Sequence, residues 1–301
     1  MEHGFIAWAK QRAIRLPKIK LGIGDDCALM ASDGGDFVVT TDSLCEGTHF
    51  ILDECGPQAV GRKLAGVNLS DLASMAATPV AVFLSLCLPR KSADLIGSEI
   101  YEGVCQVCEK YKVAIGGGDT NVWDGPLVVH LTAIGTAPEA GSWLRSGARP
   151  GDKIVVSGRL GGSLLGKHLE FEPRLHVAKS LYPLGIVQAA TDISDGLGVD
   201  LLNITVASRC GAEVDLDRIP ISDAAIERSK TSGNSALEHA IGDGEDFELL
   251  MAVDPSRIDL LPPSVDGVPL TVIGTFVSRT GLWSRSKGGV IQMPPRGYVH
   301  G

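Results

Sequence analysis

A break rich in proline and glycine, running through Pro138, Gly141, Gly147, Pro150 and Gly151, most constrains how this chain folds. Proline removes a backbone donor and glycine loosens the chain, so regular structure does not run through such a stretch. On each side, apolar runs of strand length alternate with segments of helical spacing. With 301 residues there is enough chain for one long domain or two ordinary ones. The break therefore predicts an α/β (α+β) protein of two units, residues 1–138 and 139–301.

Before the break, periodicity predicts helices over residues 1–14, 57–77 and 92–111, and strands over 36–41, 79–88, 113–115 and 126–136. The helix over 57–77 rests on the spacing of Val60, Leu64, Val67 and Leu72. After the break, strands are predicted over 153–157, 213–216, 247–253 and 270–276, with helices over 174–190 and 198–209. No tandem repeat or low-complexity tract interrupts this order.

Charge narrows the function classes. The formal net charge of −9, with no cluster of Lys and Arg, argues against nucleic acid as a partner. An acidic protein still binds phosphate where metal ions stand between the two anions. No apolar run approaches the roughly 20 residues needed to span a bilayer. Phe5 to Ala9 is too short for a signal peptide and is followed by Lys10, Arg12 and Arg15, so a cytoplasmic protein with no membrane partner is expected. Seven scattered cysteines do not form a disulfide framework. Cys105 and Cys108 make a CxxC without a second pair, which reads as packing on a helix face.

Five acidic clusters carry the chemistry: Gly22 to Ala28 with Asp25 and Asp26, Thr40-Thr41-Asp42, Asn68 to Asp71, Gly116 to Thr120 with Asp119, and Asp192 to Gly196 with Ser194 and Asp195. Glycine lets backbone N–H groups approach a phosphate, and magnesium prefers carboxylate and hydroxyl oxygens while bridging to substrate phosphates. Taken singly, each cluster reads first as a glycine-rich turn or a cap. Asp71 differs, because a carboxylate inside an apolar helical segment is costly unless paired or metal-bound. The run Gly161 to His168 nearly fits a P-loop, GxxxxGK[ST], but places His168 where a hydroxyl should hold magnesium. Lone histidines such as His130 and His239 read as structural.

Together the motifs resemble the thiamine-monophosphate kinase family, within the superfamily of ATP-binding enzymes related to aminoimidazole ribonucleotide synthetase. The matching segments are GIGDDCALM from Gly22, TTDSLCEGTHF from Thr40, VNLSDLASMAATP from Val67 and GGGDT from Gly116. They continue with RSGARPGDKIVVSG from Arg145, TDISDGLGVDL from Thr191 and DGEDFELL from Asp243, so the resemblance covers about Gly22 to Phe276. It implies in-line transfer of the ATP γ-phosphate to thiamine monophosphate, and a two-domain fold whose N-terminal domain pairs in a homodimer and carries the ATP site. It implies magnesium held by Asp26, Thr40, Thr41, Asp42, Asp71, Asp119, Asp192 and Asp195. Tyr101, Gly118, Asp119, Arg145 and Ser194 would contact ATP, and His49, Glu245 and Tyr298 the thiamine phosphate. Asp42, Asp71, Asp119 and Arg145 would carry the catalysis. The chain departs from the family in three places: Asp243 replaces a glycine, the segment 166–174 is short, and no phenylalanine follows His300. Asp243 is expected to weaken substrate phosphate binding or to face water. The runner-up readings are a selenophosphate synthetase-like or purine-pathway relative, a hydrogenase-maturation relative and a P-loop NTPase.

Overall fold

The computed structural model describes residues 2–14, 16–286 and 289–298. Arg15 and His300, named above, and residue 1 of the predicted first helix lie outside the described residues. The first sheet comprises β1 (Ile19–Leu21), β2 (Ala28–Met30), β3 (Phe37–Cys45), β4 (Thr78–Pro89), β5 (Ala114–Trp123) and β6 (Val128–Thr136), in the order β1-β2-β3-β6-β4-β5. The second contains β7 (Lys153–Ser157), β8 (Val187–Asp192), β9 (Gly211–Asp215), β10 (Leu249–Val253), β11 (Ser264–Val265), β12 (Val268–Val277), β13 (Gly281–Ser286) and β14 (Gly289–Gln292). Its order is β14-β13-β9-β12-β7-β10-β8, with β11 paired to β12. The helices are α1 (Glu2–Arg12), α2 (Leu52–Cys55), α3 (Pro57–Ser74), α4 (Ala93–Tyr111), α5 (Lys167–Glu170), α6 (Leu175–Leu181), α7 (Leu197–Ser208), α8 (Asp223–Ser232) and α9 (Ala236–Gly242). None of the described helices is long and apolar enough to cross a membrane.

Strand alternation decides what each face of the first sheet carries. On β3, Val38, Thr40 and Leu44 are buried while Thr41 and Ser43 are exposed, as a period of two requires when one face is covered. α3 and α4 cover that face. On the open face Thr41 bonds His130 at 2.9 Å and Thr132 at 2.9 Å, and Ser43 bonds His130 at 2.7 Å.

α3 begins on Pro57, which suits the first turn of a helix because its missing donor is unneeded there. Its buried residues run round most of the helix, since one flank packs on α4, β3 and β6 and another on α5, α6 and β8. Gly61 and Gly103 let α3 and α4 touch: a Cβ at either would stand 2.1 Å from a carbonyl oxygen of the other helix. α3 thus joins the first sheet to the second half of the chain, with polar Lys63, Asn68, Ser70 and Ser74 buried along it.

Three sequence expectations are corrected. The helix over 174–190 stops at Leu181, because Pro183 and left-handed Gly185 (φ 61°) end it, and Val187–Asp192 is the strand β8, paired with β10. The helix over 57–77 ends at Ser74, with Ala76 left-handed at φ 54°. Not every acidic cluster sits on a turn: Asp42 lies within β3, and Gly116 to Thr120 is strand, part of β5 at the edge of its sheet, while Asp71 lies within α3 as its helical segment predicts.

Candidate active site

The middle of the molecule holds an acidic centre built from four separate elements. Carboxylate oxygens of Asp26, Asp71 and Asp192 lie within 4.8 Å of one another. Asp26 comes from the β1–β2 connection, Asp71 from α3 and Asp192 from the end of β8. Hydroxyl groups orient them. Thr40 on β3 donates to Asp71 at 2.5 Å, Ser70 to Asp192 at 2.5 Å, Ser74 to Asp26 at 2.9 Å and Thr191 to Asp26 at 2.8 Å. Arg145 closes the centre, its guanidinium donating to Asp26 at 2.9 and 2.5 Å and its backbone N–H to Asp25 at 3.2 Å. The hydrogen-bonded groups here are carboxylates and hydroxyls, a donor set for a hard cation such as magnesium.

The acids destabilise one another. Burial, then the charges of Asp42, Asp192 and Asp26, holds the Asp71 carboxyl well above the ordinary range. Burial raises Asp42 to about 6, burial and Asp26 raise Asp192 to about 7, and burial and Asp26 raise Asp25 to about 6. Burial alone would lower Arg145, but Asp26 more than offsets it and holds the guanidinium charged. Asp200, at the start of α7, is raised by burial and then by Asp195 and Asp192, while its carboxylate accepts from the Asp195 backbone at 3.1 Å.

A pH dependence follows. These folded carboxyls bind protons more tightly than their unfolded counterparts, so between the unfolded value of 3.8 and the folded values of about 6 to 7 the native state holds more protons. The native state is favoured fully below that window, and the advantage is lost as pH rises through the folded values. In EDTA we expect melting several degrees higher at about pH 6 than at about pH 7.5, with millimolar MgCl₂ stabilising mainly at the upper pH. A melting temperature that is flat or falls toward pH 6 in EDTA overturns this.

Beside the acidic centre is a cavity of about 410 Å³ whose walls include Asp42, His49, Ser194, Asp195, Glu245 and Tyr298. The structure thus brings together one predicted metal ligand from β3, two residues after β8 and all three predicted acceptor contacts. Asp42 belongs to both regions, since its charge acts on Asp71 and Asp192. His49 is oriented by the Cys45 N–H, which donates to Nδ1 at 3.0 Å.

Tyr101, Gly118 and Asp119 stand apart. They border a separate hollow of about 450 Å³ between β4, β5 and α4. Asp119 pairs in register with Ser85, Ser85 with His130, and His130 with Ser43, so Asp119 shares the open face of the sheet. Asp42 shares the helix-covered face with Thr40. Three strand spacings, roughly 14 Å, and the sheet itself separate the two carboxylates within one chain. Gly118 also has a packing reason to be glycine, because a Cβ there would lie 1.8 Å from the Leu84 carbonyl oxygen.

The P-loop-like run binds the protein's own carboxylates. Gly161 N–H donates to Asp246 at 2.9 Å and Gly162 N–H to Asp243 at 2.9 Å, while Lys167 donates to Glu248 at 2.9 Å. Asp243 neither simply faces water nor stands as a loose charge in the cavity: His239 and Arg228 hold it as well, at 2.8 and 3.5 Å. Cys105 and Cys108 both lie on α4, Cys108 buried, with thiols raised by burial.

Sequence reasoning placed Ser70 in the cluster ending at Asp71 but did not single out Lys63, Ser74, Thr191, Asp200, Asp246 or Glu248 as site-building residues. The signal that marked Asp71, a polar group inside an apolar helical run, also marks Lys63, Ser70 and Ser74 on the same helix.

The AIR synthase related protein N-terminal domain matches residues 24–137, and the C-terminal domain of that family matches residues 157–282. Thiamine-monophosphate kinase of Rhodopirellula baltica is 42% identical over 310 aligned positions, covering 100% of this chain and 98% of the relative. The solved structure of AaThiL complexed with AMPPCP and TMP superposes with a TM-score of 0.85 at 28% identity, covering 98% of this chain and 96% of that one. Thiamine-monophosphate kinase from Stenotrophomonas maltophilia superposes with a TM-score of 0.75 at 32% identity, over 93% of this chain and 95% of that one. The acidic centre and its cavity therefore sit in a chain that belongs to the thiamine-monophosphate kinase family, built from the two domains of the AIR synthase related proteins.

Proposed function

We propose that this chain transfers the γ-phosphate of ATP in line to thiamine monophosphate, giving thiamine diphosphate, with several magnesium ions in the site. The carrying observation is the convergence of Asp26, Asp71 and Asp192 beside the cavity lined by His49, Glu245 and Tyr298. The relatives' names, and a similar structure holding AMPPCP and TMP, support the choice of substrates. Asp26, Asp42, Asp71 and Asp192 would hold magnesium through carboxylates, Thr40 through its oxygen, and Asp195 a further ion. Thr41, whose hydroxyl is engaged on the open face, would serve through its main-chain oxygen. Bound magnesium supplies the positive charge that lets two phosphate chains approach.

The chain's own residues do the positioning. The acceptor oxygen belongs to a phosphate already ionised at neutral pH, so no strong general base is required. His49, Glu245 and Tyr298 would seat the thiamine phosphate, Tyr101, Gly118 and Ser194 the nucleotide, and Arg145 would add fixed positive charge. Residues 1–138 would supply the ATP site and the dimer contact, and residues 139–301 would complete the cavity. The open face of the first sheet exposes Phe83, β4 also exposes Val80 at its bulge, and the β5 edge exposes Val122 and Trp123, an apolar surface suited to a second copy. In such a homodimer Asp119, on that same face, would serve a site shared between subunits.

Incubation with ATP, MgCl₂ and either thiamine or thiamine monophosphate, followed by chromatography, tests this. Thiamine diphosphate from the monophosphate is expected. No product from the monophosphate overturns the proposal, and product from free thiamine alone assigns a different kinase.

A further inference from the structure

We infer that Lys63 is a positioning residue for the acceptor, tying the Glu245 carboxylate to the His49 turn; this rests on the function proposed above. Lys63 is 0% exposed, inside α3. Its ammonium lies 2.7 Å from Glu245 Oε1 and 2.7 Å from the His49 carbonyl oxygen. A buried ammonium is costly unless paired and hydrogen-bonded, so both acceptors are held firmly. Burial pulls its pKa down, and the Glu245 charge opposes that pull.

The two acceptors come from distant parts of the chain. His49 follows β3 in the first half of the chain, and Glu245 follows α9 in the second. Glu245 and Phe247 both adopt left-handed backbone, φ 52° and 49°, which non-glycine residues keep only where the surroundings hold them. The backbone there is pinned by Glu245 N–H to Ser194 O at 2.7 Å and Phe247 N–H to Ile193 O at 2.8 Å, and the Phe247 ring stacks on Phe171 at 4.0 Å. Those contacts fix the chain path. The direction of the Glu245 carboxylate is set by Lys63, which is not among the residues lining the cavity. Lys63 therefore acts through the two residues proposed to touch the acceptor, and through neither the nucleotide nor the acidic centre.

Lys63→Met keeps the apolar stem and removes both charged hydrogen bonds. The expected result is a KM for thiamine monophosphate raised about tenfold or more, with the KM for ATP within about twofold. A KM does not depend on how much of the sample is folded, so a merely structural role would lower kcat and melting temperature and leave it unchanged. A change of less than about threefold in the thiamine monophosphate KM overturns the inference. Should Lys63→Met yield no folded protein, Lys63→Arg decides: its longer fork displaces both acceptors, and about a fivefold rise in the same KM is expected. An unchanged KM there overturns the inference equally. The wild-type control separates the failures, since inactivity on thiamine monophosphate sinks the kinase reading and this inference with it. Wild-type activity with an unchanged variant KM sinks the role of Lys63 alone.

Discussion

Asp71→Asn is expected to lower phosphoryl transfer by about a thousandfold while raising the melting temperature of the metal-free protein. The two effects share one cause. Asp71 is packed against Asp26 and Asp192, within reach of the charge of Asp42, and burial and all three neighbours penalise its ionised form. An amide fills the same volume and still accepts from the Thr40 hydroxyl, so the packing of α3 survives while the repulsion drops. The same neutralisation removes the charge that would attract a divalent cation. Adding MgCl₂ should therefore stabilise wild type strongly and the variant weakly. Calorimetry in EDTA and in MgCl₂, beside a turnover assay, measures all of this. Turnover within about tenfold of wild type would remove Asp71 from the centre of the chemistry.

Glu248→Gln is expected to cost about 3 kcal/mol of stability, the second large effect. Glu248 is 1% exposed and accepts from Arg174 at 2.6 and 2.5 Å, from Lys167 at 2.9 Å and from Ser157 at 2.7 Å. Burial would raise its carboxyl, but Arg174 and Lys167 outweigh it and hold the group ionised. Neutralising Glu248 leaves two cations converging on an amide, which is the costly way to break a buried ion network. Urea unfolding reads the difference, and a loss below about 1 kcal/mol would show that solvent reaches Lys167 and Arg174 well enough to replace the carboxylate.

That network also shows why the near-P-loop misleads at the level of sequence. Gly161, Gly162 and Lys167 do bind acidic groups, but these are Asp246, Asp243 and Glu248, each 81 to 85 residues further along the chain than the group that binds it. A glycine-rich loop states that something negative is near its amides; only the tertiary structure says whose charge it is. Long periodic segments were legible for a simpler reason. α3, α4, β4 and β6 each repeat their apolar positions often enough to declare a period and a buried face. The segment around Pro183 was not, because a short apolar run fits a helix or a strand until its partner, β10, is known. In the site, Asp71 was readable from burial cost alone. The separation of Asp42 from Asp119 was not, since the faces they occupy depend on a register passing through β6 and β4. Lys63 carried the same legible signal as Asp71, and its meaning depended on Glu245 arriving from a distant loop.

α3 has a bearing on how this enzyme can be recombined. The helix is encoded with the first half of the chain, yet one of its flanks forms part of the interior of the second. A chimera joining the first half of one such kinase to the second half of another would inherit Asp71, Ser70 and Lys63 from one parent and Asp192 and Glu245 from the other. The crossover that looks cleanest along the chain, at the proline- and glycine-rich break, therefore separates residues that must fit one another across the two halves. Viable hybrids should be those whose second parent supplies the faces of α5, α6 and β8 that α3 already fits, and library screens crossing at that break should recover parents matched there far more often than by chance.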